Sequence, residues 1–510
     1  MRLILEAYYE PQFSVLSHAY RPQRGCHTAL TYVHNVWTGT KWFIEGDISQ
    51  CFDKLDHQVL MEIIGEKLHD NRFLRLLGNM LKAGYLEKWR WNTTHSGTPQ
   101  GGVISPILSN IYLDVLDKFV ESNLIPQYTR GEKRLKNPEY QRIQRGLRKA
   151  RKEGNTVMIK ALQLRQRHIP YGTPDDPTYR RLRYVRYADD FLLGFIGPKK
   201  EAEAIKEQLR TFLQERLTLE LSEAKTLITH ACTQRARFLG YEVGVQQSSD
   251  KVTHGARSVN GVITLRVPDN VAKDRCKKYM EGGKPIHLAY LLNDSVYAIV
   301  MQYQAEYRGV MNYYAYAQNI HVLAELHHVM ETSLLKTLAT KLKCRVTEVT
   351  KRFKTEIEVD GRMYKCIQVT INREGKPPLV ARFGGIPWRR QPMHAQKVLY
   401  DHMVFVWNKK TDVLERIMRE QCEICGRKEN CEVHHVRKLS NLHRAGRSER
   451  PWWAQRMIAM RRKTLVVCKE CHQDIHAGRP TAREVLAVTG EPDDGKLSRP
   501  VRRGADGKGA

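Results

Sequence analysis

Two short apolar runs in this chain each deliver carboxylates at a strand end. Tyr187-Ala188-Asp189-Asp190 precedes the apolar Phe191-Leu192-Leu193, and Trp42-Phe43-Ile44-Glu45-Gly46-Asp47 ends on an acid, with the aromatic Phe52 a few positions on. The first pattern reads as strand, tight turn and strand. Alone, an Asp-Asp turn is equally a solvated hairpin. Two strands that each present an acid can do more, because oxygen-only ligands suit Mg²⁺, which bridges substrate phosphates. A pair of such ions about 3.5 to 4 Å apart steadies both the attacking and the leaving oxygen of an in-line displacement, as in nucleotide polymerases. Asp47 and Asp189 are the expected bridging pair, and phosphoryl transfer is the expected chemistry.

A second set of ligand types lies near the C-terminus. Cys422-x-x-Cys425 and Cys468-x-x-Cys471 are two knuckles of soft thiolates suited to a closed, tetrahedral, structural Zn²⁺ site. Cys431 reads as an uncommitted fifth thiol. Around the knuckles stand Glu432-Val433-His434-His435, Arg437 and His472-x-x-x-His476. Histidines four apart share one helix face and can hold one metal. The plainer alternative is a zinc ribbon with incidental histidines.

The rest of the chain must position these groups. Its 510 residues imply several domains, and 84 Lys plus Arg against 55 Asp plus Glu give a formal charge of +29. That balance favours polyphosphate partners and steep salt dependence, without choosing RNA or DNA. No apolar run of about 18 residues suggests a membrane span. Met1 to Glu6 turns acidic too soon for a signal peptide. A cytoplasmic protein is expected, and in a reducing compartment eleven cysteines do not imply a disulfide framework. From Arg130 to Arg186 there are seventeen Lys/Arg and five Asp/Glu. Within this segment Tyr140 to Arg167 is helix-compatible with a break at Gly154-Asn155, and few apolar residues call for burial, which predicts a protruding helical arm on RNA. Asp250 to Asn260 reads as a polar connector, and Val267 to Cys344 as mainly helical. Leu335 to Arg352 adds a basic helical face. Ile357 to Gly361 predicts a hairpin with an Asp-Gly turn, and Gly384 to Arg390 a basic loop carrying Trp388.

Taken in order, Phe43-Ile44-Glu45-Gly46-Asp47-Ile48-Ser49-Gln50-Cys51-Phe52-Asp53, Ser96-Gly97-Thr98-Pro99-Gln100-Gly101-Gly102 through Asp114, Tyr187-Ala188-Asp189-Asp190, Leu219 to Thr226 and Phe238-Leu239-Gly240-Tyr241 resemble the central motifs of group II intron reverse transcriptases. The resemblance runs from Glu10-Pro11-Gln12-Phe13 to about residue 480. It implies an α+β, right-hand polymerase fold of fingers, palm and thumb, with a helical maturase domain and a C-terminal ββα-metal (HNH), zinc-containing domain. The implied boundaries are fingers and palm over 1–250 with a basic insertion at about 123–183, thumb and maturase domain X over 260–353, a DNA-binding connector over 354–415, the nuclease over 416–480, and a disordered tail over 481–510. By resemblance, Asp47, Asp189 and Asp190 form the Mg²⁺-binding triad, and Ile48 lends a backbone carbonyl to the second ion. Phe52 excludes a 2′-hydroxyl, Gln100 and Gly101 approach nucleotide and template, and Lys225 contacts primer or nucleotide. Tyr307 to Tyr314 resembles the core of domain X, which contacts intron RNA.

The histidines and knuckles together resemble the HNH nucleases. That resemblance makes His435 the general base for water attack on a DNA phosphate and makes His434 and His476 ligands of a divalent nuclease ion, with His472 a second-line candidate. Thr464 stands where many members have Asn before the second knuckle; Asn441 is a less well spaced alternative. Members also place tens of residues before the equivalent of Leu3 to Glu6, including part of the fingers. Tyr20 to Gly25 retains a later fingers motif, in which Arg21 and Arg24 either hold template or phosphate or cap a turn. The implied function is RNA-directed DNA synthesis primed by a cleaved target strand, with splicing assistance through RNA binding. Its partners would be group II intron RNA, target DNA and deoxynucleoside triphosphates, in a bacterial cytoplasm, and self-association into a homodimer is left open. The competing readings are an RNA-binding maturase that lost polymerase activity by N-terminal truncation, and a DNA nuclease with a vestigial palm.

Overall fold

The computed structural model describes residues 1–87, 90–92, 97, 102–173, 176–248, 251–253, 256–257, 259–373, 376–393, 416–417, 419–428, 430–436, 451–460 and 462–481. Gln100, Gly101, Arg437, Asn441 and the tail beyond Thr481 lie outside the described residues. The chain divides into two compact units. One comprises Met1–Val271, Asn312–Val322 and Trp388–Asp401, and the other comprises Ala272–Met311, Leu323–Pro387 and His402–Ala510.

The first unit is built on a four-stranded antiparallel sheet. Its strands are β1 (Trp42–Asp47), β2 (Arg181–Tyr187), β3 (Asp190–Ile196) and β4 (Ile228–His230), in the order β2-β3-β1-β4. The central β3 is buried along its length after Asp190, so its sequence is continuously apolar instead of alternating. Helices α1 (Ser105–Phe119) and α2 (Lys199–Leu217) share its core, in which Leu108, Tyr112, Ile205, Leu209 and Leu213 meet Ile44, Phe191 and Leu193. With Ala202 and Leu217, helix α2 supplies these at three- and four-residue spacing, the signature of an amphipathic helix. A second antiparallel sheet joins β5 (Ala236–Phe238), β6 (Tyr241–Val245) and β7 (Ile263–Arg266).

The basic segment folds as two helices, Pro138–Lys152 and Thr156–His168. The break falls where the sequence predicts it. Gly154 takes φ +68°, and the Asn155 side chain caps the second helix by accepting from Met158 N at 3.0 Å. The first helix buries Ile143, Leu147 and Ala150 and the second buries nothing, so the cations stay in solvent. The region expected as an open connector instead contains a short hairpin, Val252–Thr253 paired with Ala256–Arg257.

Val296–Tyr313 and Ala324–Leu342 are long helices, and a third runs over Val346–Phe353; all but Asn312 and Tyr313 of the first belong to the second unit. Lys343, with φ +54°, ends the second of these helices in the left-handed conformation, so the basic stretch 335–352 is two helices and not one. The hairpin at Asp360-Gly361 forms as read. Both residues take positive φ, +51° and +74°, and Val359 pairs with Arg362, the geometry of a primed two-residue turn. This sheet, completed by Lys376–Gly384, packs Phe383 against Tyr303, Tyr307 and His327. The C-terminal module is a hairpin of Cys431–His435 and Thr464–Cys468 followed by the helix Lys469–Ala477, a ββα arrangement.

Candidate metal centres

Strand pairing brings the palm acids together. In the register of β1 and β3, Asp47 lies opposite Asp190, and the β2–β3 pairing of Tyr187 with Asp190 leaves Ala188 and Asp189 as a two-residue loop. Burial, with the charge of Asp47 added, raises the Asp189 carboxyl, while Lys225 and Arg186 pull it down. Burial pushes Asp190 up to about 7; Leu239 N, donating at 3.5 Å, opposes this, and the charges of Asp47 and Asp189 add to it. Three neighbouring carboxylates with little water are an arrangement that a hard dication relieves. Lys225 donates to Asp47 Oδ2 at 2.9 Å, and this bond raises the exposed ammonium. Among the described residues these three carboxylates do not form a set within 4.8 Å of one another, and one oxygen of Asp47 is engaged by Lys225.

The neighbouring residues follow from local geometry. Ile48 bridges Leu221, and the hydrogen bonds of that bridge come from its neighbours, Ser222 N to Asp47 O and Ser49 N to Glu220 O, both 2.9 Å. The Ile48 carbonyl therefore stays out of the ladder. Phe52 is half-buried in a short helix, edge-on to Tyr20 at 6.4 Å. Gly97 lies against this helix at φ +80°, where an added Cβ would meet the Phe52 carbonyl at 2.5 Å, so only glycine fits. Arg21 is turned inward. Its guanidinium bonds Glu10 Oε1 and the Ser17 carbonyl, both at 2.9 Å, and also the Ser14 carbonyl. Arg24 donates to Val15 O at 2.6 Å. Both guanidiniums thus bond backbone carbonyls of the Ser14–Ser17 turn.

Two aromatic residues of the motif expected to contact RNA bond a turn of the first unit. The β5–β6 turn is Leu239-Gly240, with φ +48° and +69°. Tyr313 Oη donates to Leu239 O at 2.8 Å, and Tyr314 Oη to Gly240 O at 3.2 Å. Tyr307 and Met311 of the same motif are buried, so they are core. Sequence reasoning missed the pair Asp117 and Arg186, both fully buried and bonded at 2.6 Å. Arg186 is one of three arginines in the strand Arg181–Tyr187, so its type alone gave no signal; only its burial shows that it demands a partner.

In the second unit, two groups of ligand atoms lie within 4.8 Å of one another: Cys422, Cys425, Cys468 and Cys471, all buried, and His434, His472 and His476. The thiols are packed with Ile424, Leu465, Val467 and Ile475. Hydrogen bonds from Cys425 and Cys471 pull the Cys422 thiol far down, while those two rise, a crowding that a tetrahedral dication resolves. Cys431, read as uncommitted, lies directly across the hairpin from Cys468 and packs against the same cluster. Both ring nitrogens of the buried His434 lack any hydrogen-bond partner. Burial first, then the neighbouring histidines, lowers that imidazole to about 4, leaving it neutral as a metal ligand requires. Glu432 contacts His472 Nδ1 at 2.7 Å, and His472 Nε2 lies 3.1 Å from His476 Nε2. His472 is thus an equal member of the group. His435, one residue along the strand, is exposed and outside it, as side-chain alternation dictates. It stands opposite Thr464, whose hydroxyl accepts from Arg416 at 2.8 Å.

An acid-bearing palm sheet, a helical second unit and a ββα module with thiol and imidazole clusters define a polymerase joined to a metal-dependent nuclease. Three family models divide the chain in the same order. These are reverse transcriptase (RNA-dependent DNA polymerase) over residues 1–243, type II intron maturase over 267–388, and AI2M/AI1M-like HNH endonuclease over 422–472. The chain is 36% identical over 499 residues to group II intron-encoded protein LtrA of Lactococcus lactis subsp. cremoris, covering 93% of this chain and 80% of that one. It is 30% identical over 498 residues to the COX1/OXI3 intron 2 protein of Saccharomyces cerevisiae, covering 94% of this chain and 56% of that one. Protein YkfC of Escherichia coli K12 is 34% identical over 235 residues, 45% of this chain and 55% of that one. The chain belongs to the group II intron-encoded proteins, with reverse transcriptase, maturase and HNH endonuclease domains. The reverse transcriptase and maturase domains bind RNA, the reverse transcriptase and HNH domains use divalent metals, and together they match the polymerising reading better than the maturase-only alternative. Among the described residues, no helix is long and apolar enough to cross a membrane.

Proposed function

We propose that Asp47, Asp189, Asp190 and the Ile48 carbonyl hold two Mg²⁺ ions for DNA synthesis on group II intron RNA, primed by a target strand that the C-terminal module cuts. The observation that carries the reading is the opposition of Asp47 and Asp190 on adjacent strands, with Asp189 in the adjoining turn. When bound, such ions neutralise charge on the triphosphate and on the attacking 3′-oxygen. The acids orient that centre, and the exposed Lys225 ammonium supplies a cation beside Asp47 for incoming phosphate. Phe52 is the aromatic that excludes a 2′-hydroxyl; Gln100 and Gly101, assigned by resemblance to nucleotide and template, lie outside the described residues. Phe52→Ala is expected to raise ribonucleotide incorporation relative to deoxynucleotide by about 10- to 200-fold, the range for one pocket contact. Competition between paired nucleotides in primer extension checks this.

In the C-terminal module, the four cysteines hold Zn²⁺ and the three histidines hold a divalent ion. Glu432, by accepting from His472 Nδ1, keeps Nε2 directed to that ion. His435 is free in solvent to take a proton from the water attacking a DNA phosphate. The helical arm 138–168 and the maturase domain bind intron RNA through exposed cations. The setting is a bacterial cytoplasm. The test is a coupled reaction with duplex target DNA, intron RNA, Mg²⁺ and deoxynucleotides, scored for cDNA joined to the nicked strand. His435→Ala is expected to lose joined product while still extending an annealed primer. Undiminished joining would refute the base assignment.

A further inference from the structure

We propose that Asp117 and Arg186 form a buried brace that fixes the metal-binding turn, making Arg186 a positioning residue for the polymerase centre. The inference rests on the reading of Asp189 and Asp190 as metal ligands, and it assigns work to two residues far from solvent.

The turn needs such a brace. Of its two loop residues only Ala188 takes a positive φ, +57°, at a position that favours glycine. An L-residue with a Cβ resists that conformation, which persists only where the surroundings over-determine it. The Tyr187–Asp190 pair closes the turn, and a side chain reaches into it as well, because Arg186 Nη1 bonds the Ala188 carbonyl at 2.9 Å. A displacement of this peptide moves Asp189 directly, and Asp190 with it.

The guanidinium is itself immobilised on every side. Asp117 takes its fork in two parallel bonds, Nε to Oδ1 at 2.7 Å and Nη2 to Oδ2 at 2.6 Å, with both side chains wholly buried. Nη2 also donates to Ser17 Oγ at 2.9 Å, and Nη1 reaches Asn110 Oδ1 at 3.5 Å. Tyr184 Oη donates to Asp117 Oδ1 at 2.8 Å, fixing the carboxylate in turn. The Arg186 backbone is tied to Leu16 and His18. Asn110 and Asp117 both lie on α1, so the turn is referenced to the helix beneath the sheet. An apolar pair of similar volume would fill this space without the cost of desolvating two charges. What only the guanidinium supplies is a planar fork that grips a carboxylate and still aims a third N–H elsewhere. A lysine ammonium keeps the charge balance but not that geometry.

The test uses the full-length protein. It compares wild type, Arg186→Lys, the apolar replacement Asp117→Leu/Tyr184→Phe/Arg186→Met, and Asp189→Ala. Primer extension on an RNA template gives kcat, KM for deoxynucleotide and the Mg²⁺ concentration for half-maximal rate. Circular dichroism and RNA affinity establish that each variant is folded. The brace predicts that kcat falls about tenfold in Arg186→Lys, the factor matching the resistance of an L-residue to positive φ. It also predicts a higher Mg²⁺ requirement in every folded brace variant, with KM and RNA affinity little changed. Adding Ala188→Gly to Arg186→Lys restores part of kcat, because glycine holds this φ without penalty. Wild-type kcat and Mg²⁺ requirement in a folded brace variant, with Asp189→Ala inactive, would overturn the proposal. So would a fall in kcat that neither shifts the Mg²⁺ requirement nor responds to Ala188→Gly. Full activity in Asp189→Ala would instead overturn the metal-ligand reading beneath it.

Discussion

Asp47→Ala and Asp189→Ala are each expected to lower single-nucleotide addition by at least about a thousandfold, since a metal centre supplies several kcal/mol of charge stabilisation to the displacement. The two residues come from different strands, yet they should fail alike, because Asp47 stands opposite Asp190 and Asp189 adjoins it. Removing either leaves the others unable to hold both ions. RNA affinity and its salt slope should not fall, because the lost groups are anionic and phosphate contacts come from cations. Single-turnover extension of a DNA primer on an RNA template measures the first effect, and filter binding across salt concentrations the second. Loss of RNA binding in step with extension would mean that the acids maintain the fold and do not serve chemistry.

Removal of zinc should have the second large effect, and it should be confined to one module. Among the described residues, the core around the four thiols is small, with Ile424, Met457, Leu465, Val467 and Ile475 as its buried aliphatic and thioether members. A core of that size contributes little stability on its own, whereas structural zinc brings roughly 10 to 16 kcal/mol of apparent binding free energy to small modules at neutral pH. A strong chelator, or Cys422→Ser with Cys468→Ser, is therefore expected to unfold residues 416–481. The result should be rapid proteolysis there and loss of target nicking, while extension of an annealed primer continues. Chelation must be followed by Mg²⁺ repletion so that the palm is not depleted as well. A module that keeps its protease resistance without zinc would contradict the structural role of the thiols.

Much of the architecture is legible in local sequence because it depends on local rules. The acid-bearing strands, the Asp-Gly hairpin and the Gly154-Asn155 helix break all follow from periodicity and turn chemistry. Alternation along Cys431–His435 also separates the adjacent histidines, one inward and one exposed. What stays hidden depends on pairing at long range. Spacing alone could not say that Asp47 faces Asp190, nor that His472 joins His434 and His476 as an equal, because both facts arise from the docking of separate elements. Arg21 shows the same limit. A basic residue in a turn can face phosphate or its own carbonyls, and here Glu10 and the Ser14 and Ser17 carbonyls draw it inward. Tyr313 and Tyr314 sit in a motif read as RNA-binding, yet their hydroxyls cap the Leu239-Gly240 turn. Asp117 and Arg186 are far apart in sequence, and two further arginines share the strand of Arg186, so nothing local marks the pair.

The central claim is that one divalent-metal centre is shared by the β1 acid and the 187–190 turn. Substituting Fe²⁺ for Mg²⁺ and adding ascorbate and peroxide generates hydroxyl radicals that cut the backbone beside the bound ion. The predicted result is cleavage near Asp47 and near Asp189-Asp190 together, suppressed by excess Mg²⁺ and absent in Asp189→Ala, apart from cuts at the histidine cluster. Cleavage at the histidine cluster alone, with both palm segments intact, would contradict the account.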